Sequence, residues 1–244
     1  MTGLFRLVVV KMKMVVHSNG DEAARAAAKV IAEQARSAVA ARGRFVLAVS
    51  GGHSPEPMLR ALAEEDLPWE KVYFTQVDER LAPAGHPDRN LTAQLKALGH
   101  APLPPDRFHP MPVEAPDLET AAANYAQTLR VLAGTPPVLD LAHLGIGTDG
   151  HTASLVPDDP VTGVTSADVA LTGVYQSRRR MTLTFPILNR SRSILWLITG
   201  SEKAAMLARL HAADTSIPAG RIRQDRAIVF ADQAAAEMMG AVRT

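Results

Sequence analysis

Short apolar runs alternate with alanine-rich helical stretches along most of this chain, and this alternation is the strongest constraint on its fold. The runs that predict strands are 14–17, 45–49, 72–77, 139–144, 169–174, 181–184, 194–198 and 227–230. The stretches that predict helices are 21–41, 55–62, 91–98, 118–132, 202–210 and 232–239. Strands that alternate with helices favour a mostly parallel sheet whose faces are covered by the helices. The sequence therefore predicts an α/β fold.

The length of the chain is compatible with one domain. Its 244 residues could form one large α/β domain or two small ones, and no stretch between the predicted elements resembles a linker. The proline-rich segment 102–116 is predicted to be a surface connection. We therefore expect a single domain over 1–244, of which 1–13 could be an N-terminal extension.

The cysteine count, the net charge and the N-terminal sequence narrow the class of protein. The chain has no cysteine, which excludes disulfides, thiolate catalysis and Cys-ligated zinc and fits a reducing cytoplasm. Its net charge of +1 gives no reason to expect nucleic acid as a partner. The apolar run 7–10 ends at Lys11 and is too short for a signal sequence or a membrane span. We expect a cytoplasmic protein, a monomer or a weak homo-oligomer, that binds neither nucleic acid nor membranes.

A glycine-rich loop follows the fourth predicted strand. Gly145, Gly147 and Gly150 match the dinucleotide-binding pattern G-x-G-x-x-G. That pattern also requires a long helix after the third glycine and an acidic residue at the end of the next strand. Here Pro157 follows within a turn or two, and the candidate acid Asp168 precedes the next strand. The nucleotide interpretation is therefore the weaker one.

Polar residues follow four of the predicted strands. They are Ser50-Gly51-Gly52-His53, Asp78-Glu79-Arg80, the loop with Asp149 and His151, and Thr199-Gly200-Ser201-Glu202-Lys203. Because ligands bind beyond the carboxyl ends of the strands in open parallel sheets, we expect the four clusters to converge on one crevice.

Two of these clusters have features of an anion site. The segment Ser50-Gly51-Gly52 precedes a helix that begins near Pro55, so it could offer backbone N–H groups and the positive helix end to an anion, or it could be an ordinary glycine turn. Ser201 is predicted to be an N-cap that places Lys203 in the first helical turn, where the helix dipole disfavours a cation. A bound anion would remove that conflict, whereas a flexible surface lysine would avoid it.

Period-two alternation places Arg180, Thr182 and Thr184 on one face of a predicted strand. Arg180 therefore begins the polar face of that strand. The neighbouring Arg178 and Arg179 are predicted to be solvated loop charges.

The remaining polar candidates have more than one interpretation. Arg80 could be a second anion clamp or simply the ion-pair partner of Asp78 or Glu79. Asn90, just before a helix, is predicted to be an N-cap. His53 is expected to line its loop or to face solvent.

Several cations and a helix N-terminus around one histidine are typical of a site for a phosphorylated small molecule. The phosphate would serve for binding, and His151 would transfer a proton. The residues alone lead no further than this.

Five motifs, in the same order and spread over nearly the whole chain, resemble those of the 6-phosphogluconolactonase family. They are Ser50-Gly51-Gly52, Asp78-Glu79-Arg80 with His86 and Asn90 following, Gly145-x-Gly-x-Asp-Gly-His-Thr-Ala-Ser154, Arg180-x-Thr-Leu-Thr184 and Gly200-x-x-Lys203. The resemblance implies the Rossmann-like fold that this family shares with glucosamine-6-phosphate isomerase/deaminase. It also implies the hydrolysis of 6-phospho-D-glucono-1,5-lactone to 6-phosphogluconate in the oxidative pentose phosphate pathway.

The resemblance further implies the roles of individual residues. His151 would be the general base that activates water, and Asp149 would orient that histidine or hold a sugar hydroxyl. The implied substrate- and phosphate-binding positions are Ser50, Gly51, Gly52, Asp78, Arg80, Asn90, Gly147, Arg180 and Lys203. No metal or cofactor is expected, because a δ-lactone is already reactive and one general base contributes about 10²–10⁴-fold.

The chain departs from the pattern of this family at two places. His53 stands where the family usually has a small hydroxyl residue, and the segment before Arg180 lacks the family's lysine-proline run. Neither departure involves His151.

Two other functions are compatible with the same resemblance. Glucosamine-6-phosphate deaminases follow the Gly-x-Asp-Gly-His core with a segment that ends Asn-Glu-Pro, and here the matching segment 154–157 has no glutamate. A non-enzymatic sugar-phosphate-binding regulator would be expected to carry a DNA-binding segment or a broken Asp-Gly-His, and the sequence shows neither. The lactonase is therefore the favoured hypothesis.

Overall fold

A computed structural model describes residues 12–52 and 54–239. The apolar run 7–10, most of the predicted N-terminal extension and His53 lie outside this part of the chain. No helix among the described residues is long and apolar enough to cross a membrane.

The fold is built on a seven-stranded sheet in which every pair of neighbouring strands is parallel. In spatial order its strands are β1 (Lys13–His17), β10 (Ala227–Asp232), β9 (Ser193–Ile198), β6 (Leu141–Leu144), β2 (Phe45–Val49), β3 (Val72–Gln76) and β5 (Phe108–His109). This is the predicted Rossmann-like architecture.

A second sheet has three antiparallel strands and was not predicted. In spatial order they are β4 (Asp78–Arg80), β8 (Arg180–Leu183) and β7 (Val169–Leu171). The backbone of Val77 joins the two sheets, because its N–H donates to Val49 O at 3.1 Å and its carbonyl accepts from Leu183 N at 2.7 Å. The predicted strand 72–77 therefore ends one residue early, and the chain then enters the second sheet.

Helices cover both faces of the large sheet. They are α1 (Gly20–Arg42), α2 (Pro55–Ala63), α3 (Asn90–Leu98), α4 (Leu118–Ala133), α5 (Phe185–Arg190) and α6 (Ala204–His211). Alternate residues of β2 separate the two layers: Phe45, Leu47 and Val49 pack against α1 and α2, whereas Val46 and Ala48 belong to the core that includes α4. Both faces of the strands are buried, which explains their continuously apolar sequences.

Several predicted boundaries and elements differ from the structure. The predicted helix 232–239 is wrong, because Asp232 ends β10 and the residues after it form turns. The Asp232 carboxylate accepts hydrogen bonds from the backbone N–H groups of Gly200 and Ala235, which fixes a turn at this point.

Three elements were missed. The strand β5 forms only two residue pairs with β3, inside the proline-rich segment. The short helix α5 has Pro186 in its first turn, a signal that could have located it. The third is β4, which forms where the sequence predicts a loop after the preceding strand. In addition, the strand predicted over 169–174 ends at Leu171.

A buried carboxylate connects the second sheet to α3. Glu79 is fully buried and accepts from the backbone N–H groups of Arg80 (2.8 Å), Asn90 (2.7 Å) and Leu91 (2.8 Å). The Arg89 guanidinium, 2% exposed, also lies 3.3 Å from this carboxylate. Glu79 therefore satisfies the first N–H groups of α3, the capping role that was predicted for Asn90. That prediction is wrong: Asn90 is the first residue of the helix.

We expect Glu79→Gln to lower the free energy of unfolding by about 3 kcal/mol, because it leaves a buried guanidinium without its buried counter-charge. Urea unfolding measures this difference. Glu114, 51% exposed and 3.3 Å from the same Arg89, provides the matched control. Glu114→Gln is expected to change stability by less than about 1 kcal/mol. Equal effects of the two substitutions would contradict the assignment.

Candidate active site

The candidate site lies where the direction of the chain through the large sheet reverses. The neighbouring strands β2 and β6 continue to β3 on one side and to β9 on the other. The chain segments that leave the carboxyl ends of these two strands therefore run in opposite directions and leave a crevice between them, which is the usual ligand site of such sheets. The cleft has a volume of about 680 Å³, and every predicted site residue except Asp149 lines it.

The glycines of the loop after β6 allow the backbone to curl tightly below His151. Gly147 N donates to His151 O at 2.9 Å, and Gly150 N donates to Gly147 O at 3.0 Å. A Cβ on Gly147 would lie 2.1 Å from His151 Nδ1, and Gly150 has a positive φ of 84°. No helix follows this loop before residue 160, so the requirement of a dinucleotide cradle is not met.

His151 and Asp149 form a hydrogen-bonded pair at the rim of the cleft. Asp149 Oδ1 lies 2.5 Å from His151 Nδ1 and also accepts from His151 N at 3.1 Å. The Tyr175 hydroxyl donates to Asp149 Oδ2 at 3.0 Å. Partial burial alone would raise the pKa of Asp149, but the hydrogen bonds and the charge of His151 outweigh it and hold the pKa well below its usual range. Asp149 is therefore an ionised partner that leaves only Nε2 of the imidazole for a ligand.

Two arginines lie side by side on the small sheet. Arg80 and Arg180 are directly opposite each other in the β4–β8 pair, and both side chains line the cleft. Arg80 Nη1 donates to Asp88 O at 2.8 Å, and Arg180 Nη2 donates to Gln176 Oε1 at 3.2 Å. The Nε atoms of both arginines are buried without a hydrogen-bond partner.

The electrostatics of this arginine pair favour an anion. Burial lowers the pKa of Arg180, an effect that the nearby Asp78 carboxylate opposes and the charge of Arg80 reinforces. Like charges opposite each other in a sheet are destabilising, and an anion between them would remove the repulsion. Within the described part of the chain, no ion pair joins Arg80 to Asp78 or Glu79. Of the two alternatives for Arg80, the geometry thus favours the anion clamp.

The polar face predicted for the strand of Arg180 is present and is completed by β4. Asp78 is opposite Thr182 on the same face as the two arginines. Ser154, fully buried, donates to Asp78 Oδ2 at 2.6 Å, and Arg180 Nη1 lies within 3.4 Å of its hydroxyl. Ser154 therefore links the loop of His151 to both strands of the arginine pair.

Asn90 reaches the cleft from the first turn of α3. Its Nδ2 donates to Asp78 O at 2.9 Å, whereas its Oδ1 is buried without a hydrogen-bond partner. A Cβ on Gly51 would lie 1.8 Å from this oxygen, so only glycine allows the loop after β2 to pack against Asn90.

A buried histidine supports the start of that loop. Ser50 Oγ donates to His143 O at 2.9 Å, and Ser50 N lies 3.4 Å from His143 Nδ1. Burial lowers the pKa of His143 to about 3, so this imidazole is a neutral structural acceptor. Gly52 follows with a positive φ of 99°, and the first turn of α2 borders the cleft beyond it.

Lys203 lines the opposite wall of the cleft. It is the last residue of a 3₁₀ turn, Ser201–Lys203, directly before α6, so it does lie in the first turn of a helical segment, as predicted. The prediction that Ser201 caps this helix is wrong, because its side chain makes no capping hydrogen bond and Gly200 (φ 95°) precedes the turn. Among the described residues, no carboxylate forms an ion pair with Lys203.

One of the two predictions about the arginines next to this site is corrected. Arg178 is held in an ion pair, because its Nε and Nη2 donate to Asp88 Oδ2 at 3.1 and 3.0 Å. Arg179 is an exposed loop residue, as predicted, and its Nε donates to Thr172 O at 3.2 Å. No group of three or more His, Cys, Asp or Glu side chains that could hold a metal lies within 12–52 and 54–239.

Four further residues contribute to this site although the sequence did not indicate it: Ser154, Glu79, Tyr175 and Gln176. Ser154 is the last residue of the motif 145–154, and that position is the sequence signal that could have identified its hydroxyl as part of the site. Tyr175 and Gln176 occupy an irregular segment without a pattern, so only the structure reveals that they lie beside His151 and Arg180.

Comparison with known proteins extends these observations. The family model described as "Glucosamine-6-phosphate isomerases/6-phosphogluconolactonase" matches residues 18–230. A 6-phosphogluconolactonase of Synechocystis sp. is 40% identical over 210 residues, which cover 82% of this chain and 87% of the relative.

Solved structures agree on the fold. A 6-phosphogluconolactonase from Trypanosoma cruzi superposes with a TM-score of 0.85 at 26% identity, covering 96% of this chain and 99% of its own. A monomeric glucosamine-6-phosphate deaminase superposes with a TM-score of 0.82 at 21% identity, covering 93% and 100%, which shows only a common fold. On the family model and the Synechocystis relative together, the chain belongs to the glucosamine-6-phosphate isomerase/6-phosphogluconolactonase family.

Proposed function

We propose that this protein is an enzyme that hydrolyses 6-phospho-D-glucono-1,5-lactone to 6-phosphogluconate in the oxidative pentose phosphate pathway. The observation that carries the proposal is that one cleft contains both His151, hydrogen-bonded to Asp149, and two adjacent arginines whose charges favour an anion. The 40% identity to a 6-phosphogluconolactonase supports the choice of substrate.

His151 acts as the general base in this proposal. Asp149 holds the proton on Nδ1, so the lone pair of Nε2 is available to the cleft. Nε2 takes a proton from water as the water oxygen attacks the lactone carbonyl. The tetrahedral intermediate then collapses, the bond from the carbonyl carbon to the ring oxygen breaks, and the imidazolium returns the proton to that oxygen.

The substrate's phosphate is held by Arg80, Arg180 and Lys203, with the N–H groups of Gly51 and Gly52 before α2. Charge-assisted hydrogen bonds from arginine to phosphate are stronger than neutral ones, and a helix N-terminus favours an anion. Backbone N–H groups of the glycine loops are the proposed donors to the oxyanion that forms at the carbonyl carbon.

The segment after His151 favours lactone hydrolysis over deamination of an amino sugar phosphate. In this chain Leu155 and Val156 are both buried in the core, and Ser154 is engaged with Asp78. No glutamate is present there to work with the histidine in ring opening. The proposed partner is thus a phosphorylated sugar lactone, and we further propose a cytoplasmic protein that is a monomer or a weak homo-oligomer and needs no metal.

The direct test follows freshly generated 6-phosphogluconolactone by NMR, with and without the protein and in the presence of a chelator. We expect loss of the lactone well above the spontaneous rate, unaffected by the chelator, and no ammonia from glucosamine 6-phosphate in a parallel sample. Ammonia release with lactone decay at the background rate would establish the deaminase instead.

His151→Ala is expected to lower kcat by at least about 10²-fold and to leave KM nearly unchanged, because it removes the base and none of the phosphate contacts. Initial rates measure both constants. Unchanged turnover would remove His151 from the mechanism.

A second glycine gives a matched control for a substitution that disturbs the His151–Asp149 pair. Gly147→Ala would place a methyl group against this pair, whereas a Cβ at Gly163, which does not line the cleft, has nothing within 4 Å. We expect a large loss of kcat from the first substitution and a rate near that of the wild type from the second. The same rate for both would mean that the geometry of the pair does not control catalysis.

Arg180→Ala and Lys203→Ala are each expected to raise KM roughly 10-fold or more, since each removes a charged contact to phosphate. Arg179→Ala is the control, because Arg179 is exposed and lies outside the cleft lining. If both cleft variants keep the wild-type KM, the phosphate does not bind where we place it.

A further inference from the structure

A tight hairpin turn, 175–178, borders the candidate site and has unusual backbone geometry. Tyr175 N donates to Arg178 O at 2.9 Å, and Arg178 N donates to Tyr175 O at 3.2 Å. The two residues between them, Gln176 and Ser177, have positive φ angles of 49° and 64°. Turns of this kind favour glycine or asparagine, so the conformation is strained and must be held by its surroundings.

Side-chain contacts to the loop before α3 and to the small sheet hold this turn in place. Arg178 donates two hydrogen bonds to the carboxylate of Asp88, whose backbone carbonyl accepts from Arg80. Gln176 accepts from Arg180. The turn is therefore tied to both arginines of the cleft.

Tyr175 is the residue that this turn presents to the His–Asp pair. Its hydroxyl donates to Asp149 Oδ2 at 3.0 Å, and its ring packs edge-to-face against His151 with centroids 5.4 Å apart. The Arg180 guanidinium lies over the same ring, 4.9 Å from its centroid. Burial and the hydrogen bond to Asp149 raise the pKa of Tyr175, so the hydroxyl stays protonated and acts as a donor.

We propose that Tyr175 is a positioning residue for His151 and that it acts through Asp149. This inference rests on the proposed lactonase function. The imidazole engages one carboxylate oxygen of Asp149 and the tyrosine hydroxyl engages the other, so the carboxylate cannot rotate away from Nδ1. The chain of hydrogen bonds fixes both the tautomer and the direction of the imidazole ring.

The tyrosine also moderates the charge that His151 experiences. The ionisable groups around the imidazole are the Asp149 carboxylate, the Tyr175 hydroxyl and, across the tyrosine ring, the Arg180 guanidinium. A hydrogen bond from the hydroxyl draws negative charge from the carboxylate. Without it, the carboxylate would present its full negative charge to the imidazole.

Tyr175→Phe removes the hydroxyl and keeps the ring that packs on His151 and Arg180. We expect kcat to fall roughly 10-fold, KM to stay within about twofold, and the pH–rate profile to change because the charge beside His151 changes. Tyr175→Ala also removes the ring below Arg180, so it is expected to lower kcat further and to raise KM.

Tyr73→Phe is the matched control. Tyr73 lies on β3, stacks on His109 and does not line the cleft. It is expected to retain the kcat and the pH profile of the wild type. A Tyr175→Phe variant with both unchanged would overturn the proposal.

An NMR experiment separates this inference from the proposed function. The ¹⁵N shifts of the His151 imidazole, assigned with His151→Ala, report the tautomer without any substrate. We expect an Nδ1–H tautomer in the wild type and a mixture of tautomers in Tyr175→Phe. Identical spectra would overturn the role of Tyr175 even in an active enzyme, whereas altered spectra in a protein without lactonase activity would refute only the function.

Discussion

The buried carboxylate of Glu79 is the interaction on which the geometry of the cleft depends most. It fixes the residue at which the helix α3 begins, holds the backbone of β4 beside that helix and faces a buried arginine. Asn90 and Arg80 reach the cleft from the two elements that this carboxylate joins. Glu79 itself does not line the cleft. Its carboxylate therefore orders this wall of the cleft from outside it.

Charge is distributed unevenly within the cleft. On the small sheet two guanidinium groups are adjacent and incompletely hydrogen-bonded. At the glycine loop, in contrast, a histidine is hydrogen-bonded to an ionised aspartate. The first arrangement is unfavourable until an anion is bound, and the second is already organised. This asymmetry suits a substrate whose phosphate provides binding and whose reactive carbonyl requires a base in a defined orientation.

The sequence predicted the large sheet and most of the cleft because the responsible signals are local. Apolar strands followed by glycine or polar residues identify both the β2 and β6 ends, and the topology of parallel sheets places them together. Two strands of the small sheet, β7 and β8, were predicted as strands, but their separate antiparallel pairing was not, because β4 has only three residues and its partner β8 lies about a hundred residues later in the sequence. Asn90 was assigned a capping role because no local pattern shows that Glu79, eleven residues earlier, satisfies the helix N-terminus. The roles of the individual site residues and the single-domain organisation stay predictions.

The two backbone hydrogen bonds of Val77 have a mechanical consequence. Its N–H belongs to the hydrogen bonding of the large sheet and its carbonyl to that of the small one. Because both hydrogen bonds are made by one residue, no flexible linker separates the two sheets at this point. A movement that widened the cleft and kept both bonds would have to pivot on the two backbone dihedrals of Val77, or else be confined to the loops and side chains at the rim.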